Sequence, residues 1–96
     1  MSKQLKVLAV CGFGVGTSLL LKMNIADVLR ENGIDAETEN ADITTAASCS
    51  ADIIFTSNEL YDQLVSKVDI PLVKINNFMD KNEIEEKGMD AIKKLL

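Results

Sequence analysis

The fold is decided by the stretch Leu5-Lys6-Val7-Leu8-Ala9-Val10-Cys11-Gly12-Phe13-Gly14-Val15-Gly16-Thr17-Ser18. Its first part is almost continuously apolar, which is typical of a parallel strand that is buried on both faces. A segment with alternating glycines follows, and apolar residues then recur at helical spacing up to a stop at Asn32-Gly33. The stretch therefore predicts a strand over residues 5–10, a glycine-rich turn, and a helix that begins near Thr17 or Ser18.

Three further strands and three further helices are predicted along the chain. Alternation of apolar and acidic residues indicates a strand at a sheet edge, an apolar run indicates a central strand, and Pro71 with Lys74 indicates a second edge strand. These strands cover residues 34–39, 53–56 and 72–75. The helices are a short one within 42–50 capped at Asp42, one from Ser57 or Asn58 to about Val68, and one after a capping-box-like start from Asp80 to Glu83.

The alternation of strands and helices predicts an α/β fold with a four-stranded parallel sheet and helices on both faces. Two central and two edge strands imply the order 2-1-3-4. In that order the chain leaves the first strand toward one side of the sheet and leaves the third strand toward the other side. Ligands bind at the point between these two strands in open parallel sheets. Cys11 follows the first strand and is therefore expected at this point. The helix faces expected to point inward are Leu60, Leu64, Val65 and Val68 in one helix, and Ile84, Gly88, Ala91, Ile92 and Leu95 in the last.

Composition limits both the size and the chemistry of the protein. The chain has 96 residues, 47% of them hydrophobic, which predicts a single domain over residues 1–96. Its net charge of −5 lacks the basic surface that nucleic-acid binding requires. Because the chain has no histidine, Ser-His-Asp catalysis, Cys-His catalysis and histidine-ligated zinc cannot be built within it. No cofactor and no metal are predicted.

The cysteines and the apolar segments indicate a cytoplasmic protein. Cys11 and Cys49 lack CxxC spacing and are too few for a disulfide scaffold, so free thiols in a reducing cytosol are the simpler interpretation. The uncharged window between Lys6 and Lys22 contains three glycines and falls short of the ~20 apolar residues that span a bilayer. We therefore expect no direct membrane insertion.

The glycine-rich turn is the segment whose composition packing alone does not explain. Alternating glycines let successive N–H groups point into one concavity, and the start of the next helix adds free amides and a positive dipole. A thiol in this field has a lowered pKa and can act as a nucleophile. Cys11 is therefore the predicted catalytic residue. The predicted phosphate-binding residues are Gly12, Phe13, Gly14, Val15, Gly16, Thr17 and Ser18.

The spacing of this turn differs from that of better-known phosphate loops. It has neither the Walker A lysine nor the GxGxxG dinucleotide fingerprint. Cysteine-dependent phosphatases have a cysteine, five residues, an arginine and then a serine or threonine; here Thr17 stands in place of the arginine. The only arginine, Arg30, lies near the far end of the predicted helix. Such a site could hold a phosphoryl group on sulfur and should hydrolyse it poorly.

These residues resemble a known family, the cytoplasmic IIB components of the bacterial sugar phosphotransferase system. The loop from Cys11 to Ser18 is similar to those of the galactitol, ascorbate and lactose IIB proteins. Leu20-Leu21-Lys22-Met23 and the segment Asn76 to Ile84 are similar to the ascorbate branch, while Asp69-Ile70-Pro71-Leu72-Val73 is similar to galactitol proteins. The resemblance covers essentially the whole chain.

The resemblance implies a phosphoryl relay. A phosphohistidine on a IIA protein would pass its phosphoryl group to Cys11, which would pass it to a sugar, sugar acid or polyol bound by the membrane component IIC. Two alternatives stay open, a low-molecular-weight cysteine phosphatase or arsenate-reductase-like thiol enzyme, and a regulatory module that reuses the IIB fold.

Several residues have a simpler structural interpretation. Cys49 has no glycine-rich nest around it and is interpreted as a packing or incidental residue. Thr17 and Ser18 can cap the helix as well as bind phosphate. Phe13 and Val15 are expected either to pack inward or to form an apolar docking spot for a partner.

Overall fold

The structure, a computed structural model, describes residues 5–10, 15–41, 46 and 51–95, with only the backbone described for residues 15–18. In these ranges the chain alternates between strands and helices. The strands are β1 (Leu5–Val10), β2 (Ala36–Ala41), β3 (Ile53–Ser57) and β4 (Leu72–Ile75), and the helices are α1 (Val15–Glu31), α2 (Asn58–Val65) and α3 (Lys81–Leu95). Ala46 is helical and buried. The rest of the short helix predicted within 42–50 lies outside the described residues.

The four strands form one parallel sheet in the order β2-β1-β3-β4, which confirms the predicted order. In the central pair, Val7 lies opposite Ile53 and Val10 opposite Thr56. The described side chains of β1 and β3 are almost entirely buried, whereas β2 and β4 have exposed positions. A parallel strand that is covered on both faces has apolar side chains on both faces, so its sequence is a nearly continuous apolar run. This pattern made the two central strands recognisable in the sequence.

Apolar clusters cover both faces of the sheet. On one face, side chains of β1, β3 and β4 pack against α1 and α3, around Leu21, Phe55 and Ile84. On the opposite face, Leu8, Val10 and Ile54 pack against α2. The helices therefore flank the sheet as predicted. Among the described residues, no helix is both long enough and apolar enough to cross a membrane.

The ends of α1 differ slightly from the prediction. The helix begins at Val15, two residues before Thr17. Glycine has a free-energy cost in the interior of a helix, but Gly16 lies in the first turn, where this cost does not apply in full. At the other end Gly33 has a φ of 71°, its N–H donates to the Arg30 carbonyl, and the Ile34 N–H donates to the Leu29 carbonyl at 2.9 Å. These bonds form a Schellman motif. Since Ile34 belongs to this turn, β2 begins at Ala36 rather than at residue 34.

The other two helices have the predicted inner faces, with two corrections. Leu60 and Leu64 of α2 and Ile84, Gly88 and Ile92 of α3 are buried. Val65 was expected to face inward but is 52% exposed, because it lies about 100° around the helix from Leu64, which contacts the sheet. Leu95 was also expected inside but is 38% exposed in the last turn of α3.

Candidate functional site

The carboxyl edge of the sheet, where β1 and β3 end side by side, is the point at which the connections diverge. Val10 and Thr56 are register partners there. The Thr56 side chain is fully buried, and its Oγ1 donates a hydrogen bond to the Val10 carbonyl at 3.2 Å. Because Cys11 is the next residue in the sequence, this bond fixes the backbone that leads directly into the predicted nucleophile.

The predicted catalytic residue and the glycine-rich turn come between β1 and α1 in the sequence. Cys11, Gly12, Phe13 and Gly14 lie outside the described residues, as does Cys49. The segment from Val15 to Ser18 forms the first turn of α1, of which only the backbone is described. The first N–H groups of a helix have no partner within the helix, and the helix dipole is positive at this end. The start of α1 therefore brings amide donors to the carboxyl edge, four residues after Cys11 in the chain.

Polar side chains at the ends of β3 and β4 connect the neighbouring loops. The Ser57 Oγ accepts a hydrogen bond from the Leu60 N–H at 3.4 Å and caps α2, as the sequence predicted. Asn58 at the start of α2 donates from its side-chain amide to the side chain of Asn76, which follows β4. This contact joins the β3–α2 connection to the β4–α3 loop, residues 76–80.

The β4–α3 loop is held by a carboxylate from α3. Glu83 accepts hydrogen bonds from the backbone N–H groups of Asn76 at 2.7 Å and Asn77 at 2.9 Å, and its carboxylate lies 2.6 Å from Lys87 Nζ. Partial burial raises the pKa of Glu83, but the bonds from Lys87 and from the two amides outweigh it, so the pKa lies below its ordinary value. The carboxylate therefore stays charged and fixes the loop.

Glu83 was expected to complete a capping box with Asp80, and this detail is wrong. Asp80 does cap α3, since its Oδ1 accepts from the N–H groups of Asn82 and Glu83. The Asp80 N–H, however, donates to the Asn77 carbonyl. This leaves the Glu83 carboxylate available for the loop.

Exposed apolar side chains occur on this loop and on α1. Asn24 of α1 donates to the Phe78 carbonyl at 2.6 Å, which brings the loop next to the middle of α1. Met79 of the loop is 66% exposed, and Met23 of α1 is 56% exposed. Leu19 and Leu20 of α1 are also partly exposed. We call Leu19, Leu20, Met23 and Met79 the α1 patch.

The only arginine of the chain lies away from this edge. Arg30 is in the last turn of α1, about 22 Å along the helix axis from Val15, and its guanidinium contacts Asp27 at 2.6 Å. The expectation that Arg30 lies at the far end of the helix is therefore confirmed. Among the described residues, no arginine can reach the start of α1.

The sequence analysis missed the supporting roles of Thr56, Asn58, Asn76 and Glu83. Thr56 could have been found, because a polar residue at the end of a buried parallel strand lies at the ligand-binding edge. The bonds of Glu83 to the loop had no local signal, since the same residue at the third helical position is typical of a capping box.

Together the fold and the edge define the class of protein: an open parallel α/β protein whose candidate site lies where β1 and β3 end. Residues 6–88 match the family model described as PTS system, Lactose/Cellobiose specific IIB subunit. The chain belongs to this family and is a IIB component of a sugar phosphotransferase system.

Curated relatives and solved structures agree with this family. The chain is 34% identical over 87 residues to a protein of Mycoplasma pneumoniae named ascorbate-specific PTS system EIIB component, covering 88% of this chain and 92% of that protein. A protein with the same name from Escherichia coli O157:H7 is 27% identical over 90 residues, covering 92% and 89%. The lactose-specific IIB domain of Streptococcus pneumoniae superposes with a TM-score of 0.67 at 19% identity, covering 97% and 95%. At this identity the structural likeness concerns the fold.

Proposed function

We propose that the chain is a cytoplasmic phosphoryl carrier, a single domain over residues 1–96 in which Cys11 accepts a phosphoryl group and passes it on. The observation that carries this proposal is the position of Cys11 in the sequence, directly after the central strand β1 and four residues before α1. Membership of the IIB family supports it. The donor is a phosphohistidine on a IIA protein, and the acceptor is a sugar bound by the membrane component IIC.

Each transfer exchanges one bond to phosphorus for another. In the first, the Cys11 thiolate attacks phosphorus, an S–P bond forms, and the N–P bond to the IIA histidine breaks. In the second, a hydroxyl of the sugar attacks, an O–P bond forms, the S–P bond breaks and the thiolate is regenerated, while the hydroxyl proton leaves to a base or to water. The phosphate-binding residues Gly12 to Ser18 would stabilise the charge on the transferred oxygens through backbone amides and hydroxyls.

The position of Arg30 supports a carrier over a phosphatase. Rapid hydrolysis of a cysteine phosphate needs a cation on the equatorial oxygens, and the one guanidinium of this chain is paired with Asp27 at the opposite end of α1. The absence of histidine also fits a carrier, because the phosphohistidine of the relay belongs to another protein.

The transported substrate in this proposal is ascorbate. The relatives from Mycoplasma pneumoniae and Escherichia coli O157:H7 are both named ascorbate-specific and match the chain over most of their length. The carrier itself need contact only the reacting end of the substrate, so in this proposal IIC selects the sugar.

The α1 patch gives contact with IIA and IIC a physical basis. Exposed methionines adapt to different partner surfaces because the side chain is flexible and polarisable. Met23 is next to Asn24, which bonds the Phe78 carbonyl, and Met79 follows Phe78, so the two methionines offer one exposed surface to the donor and the acceptor in turn.

Phosphorylation by a cognate IIA tests the proposal. The chain is incubated with phosphorylated IIA, and the modified residue is located by mass spectrometry under conditions that preserve phosphocysteine. We expect one phosphoryl group on Cys11, and its discharge when membranes with IIC and ascorbate are added. Cys11→Ser should lose the modification, whereas the matched variant Cys49→Ser should retain it.

Three results would each overturn one part of the proposal. Phosphate on Cys49, or on any residue of Cys11→Ser, would overturn the assignment of the nucleophile. Multiple-turnover hydrolysis of aryl phosphates by the unmodified chain, lost in Cys11→Ser, would favour the phosphatase. Discharge with another sugar but not with ascorbate would overturn the substrate alone.

A further inference from the structure

Among the described residues, the free edge of β4 has two unpaired backbone N–H groups. In a parallel ladder, alternate residues of a strand bond to the same neighbour. The Ile54 N–H donates to the Pro71 carbonyl at 3.0 Å, so Pro71, Val73 and Ile75 direct their backbone groups toward β3. Leu72 and Lys74 therefore direct theirs away from the sheet, where the Lys74 carbonyl accepts a hydrogen bond from Lys87 Nζ at 3.2 Å. In the part of the chain that the structure describes, no protein group bonds the N–H of Leu72 or of Lys74.

A groove of about 510 Å³ follows this edge. On one side it is bounded by Tyr61 of α2, and on the other by Ala91 and its neighbours on α3. We call it the β4 groove. An exposed strand edge between two helices is the geometry in which proteins accept an extended peptide as an additional strand.

The charge of the β4 groove is opposite to that of the whole chain. Its charged lining residues are Lys74, Lys87, Lys94 and Asp90, whereas the chain carries a net charge of −5. The Lys87 ammonium is compensated by Glu83 at 2.6 Å, while Lys94 is 3.8 Å from Asp90 and both groups are largely exposed. Lys74 Nζ lies 5.1 Å from the centroid of the Tyr61 ring, with no carboxylate within ion-pair distance among the described residues.

We propose that the β4 groove binds an extended acidic segment of a partner protein, which adds to the sheet as a fifth strand beside β4. The backbone of such a segment would bond the outward N–H groups of Leu72 and Lys74. Because side chains alternate along a strand, acidic residues at every second position would face Lys74, and the intervening residues would face Val73 and Ala91. This proposal does not rest on the phosphoryl-carrier function.

Charge selects against pairing with another β4. Antiparallel pairing of two β4 edges would place two Lys74 side chains on directly opposite or diagonal positions, depending on the register, and like charges at directly opposite positions destabilise a sheet. The outer edge of β2 carries Glu37 and Glu39 and so has the complementary charge. Pairing β4 of one copy with β2 of the next, however, would be a heterologous contact, which needs a particular rotation between copies to close into a ring and otherwise continues as an open array. A separate acidic segment matches the lysines of the β4 groove without that requirement and is therefore the occupant that we favour.

Nuclear magnetic resonance with a synthetic peptide tests this proposal. The probe is acetyl-Val-Glu-Val-Glu-Val-Glu-amide, and the control peptide has lysine at each glutamate position. With saturating acidic peptide, we expect changes in chemical shift centred on β4. We also expect amide hydrogen exchange at Leu72 and Lys74 to slow by about tenfold or more, since these N–H groups would bond the peptide instead of water. The lysine peptide should produce neither effect.

Reversal of the charge of Lys74 provides the second part of the test. Lys74→Glu should weaken binding of the acidic peptide by about fivefold or more, the size expected for reversal of a partly exposed charge pair. Lys93→Glu makes the same change on an exposed position of α3 that does not line the groove, and it should change the affinity by less than about twofold at moderate salt.

Three results would overturn the proposal. Equal binding of both peptides would show that charge does not select the occupant. Unchanged exchange at Leu72 and Lys74 at saturation would show that Lys74 and Pro71 simply protect the edge from pairing. Concentration-dependent association of the chain, with the same amides protected without peptide, would assign the edge to a second copy.

Discussion

The carboxyl edge of the sheet and the core between the sheet and α1 and α3 are built in different ways. At the edge, side chains bond backbone groups: Thr56 bonds the Val10 carbonyl, Glu83 bonds two loop amides, and Asn24 bonds the Phe78 carbonyl. In the core, Leu21, Phe55 and Ile84 make only apolar contacts and are almost completely buried. Hydrogen bonds fix directions and apolar burial supplies stability, so substitutions in the two regions should have separable effects.

The core should show the larger loss of stability. A Cβ added at Gly88 would lie 2.6 Å from the ring of Phe55, which is 1% exposed and has little room to move. Gly88→Ala should therefore lower the free energy of unfolding by about 1–3 kcal/mol, despite the better helix propensity of alanine. Denaturant unfolding measures this. Phosphorylation of Cys11 should persist in the fraction that remains folded.

Gly33→Ala is the matched control for overpacking. Gly33 has a φ of 71°, but a Cβ there would meet no atom within 4 Å. The free energy of unfolding should therefore fall through backbone strain alone, by about 1 kcal/mol. A loss at Gly88 no larger than at Gly33 would contradict the proposed close packing of α3 on β3.

Thr56→Val should affect both regions, because Thr56 is buried and also contacts the backbone before Cys11. Valine keeps the shape of the side chain and removes one hydrogen bond, which should lower the free energy of unfolding by about 0.5–1.5 kcal/mol. We also expect slower phosphorylation of Cys11, since the end of β1 loses its anchor. Thr38→Val, the same change on the edge strand β2, should leave the phosphorylation rate unchanged. Equal rates in the Thr56 variant and the unmodified chain would show that this bond does not position the loop.

Glu83→Gln should have the smallest effect at neutral pH and the clearest dependence on pH. The pKa of Glu83 is lowered from its ordinary value of 4.5, so its charged form contributes stability above that value and loses it as the pH falls through the lowered pKa. The difference in unfolding free energy between the unmodified chain and the variant should be largest near neutral pH and shrink below about pH 4.5. Glu86→Gln, at an exposed position of α3, is the control. A difference that does not change with pH would mean that the charge of Glu83 is not what holds the loop.

The order of strands and helices was predictable because each element is indicated by the types of residue at neighbouring positions. A parallel strand that is covered on both faces needs apolar side chains on both faces, so β3 and, apart from Lys6, β1 are visible as apolar runs. The acidic residues of β2 and the Pro71 and Lys74 residues of β4 instead indicated edge strands. The glycine-rich segment after β1 was also recognisable from local composition, since its three glycines, Gly12, Gly14 and Gly16, are more than a single tight turn needs. The boundary of β2 was missed by two residues because Ile34 bonds back to Leu29 in the turn that ends α1.

The sequence by itself determined the strand order, the position of Cys11 in the chain directly after a central strand, and the family to which the chain belongs. These depend on the types of residue at neighbouring positions and on the restricted connections of parallel sheets. Only the tertiary structure decided that Glu83 holds the β4–α3 loop, that Asn24 joins this loop to α1, and that three lysines line the edge of β4. Residues far apart in the chain meet in each case, and a carboxylate or an ammonium has no local pattern that specifies which distant group it will contact.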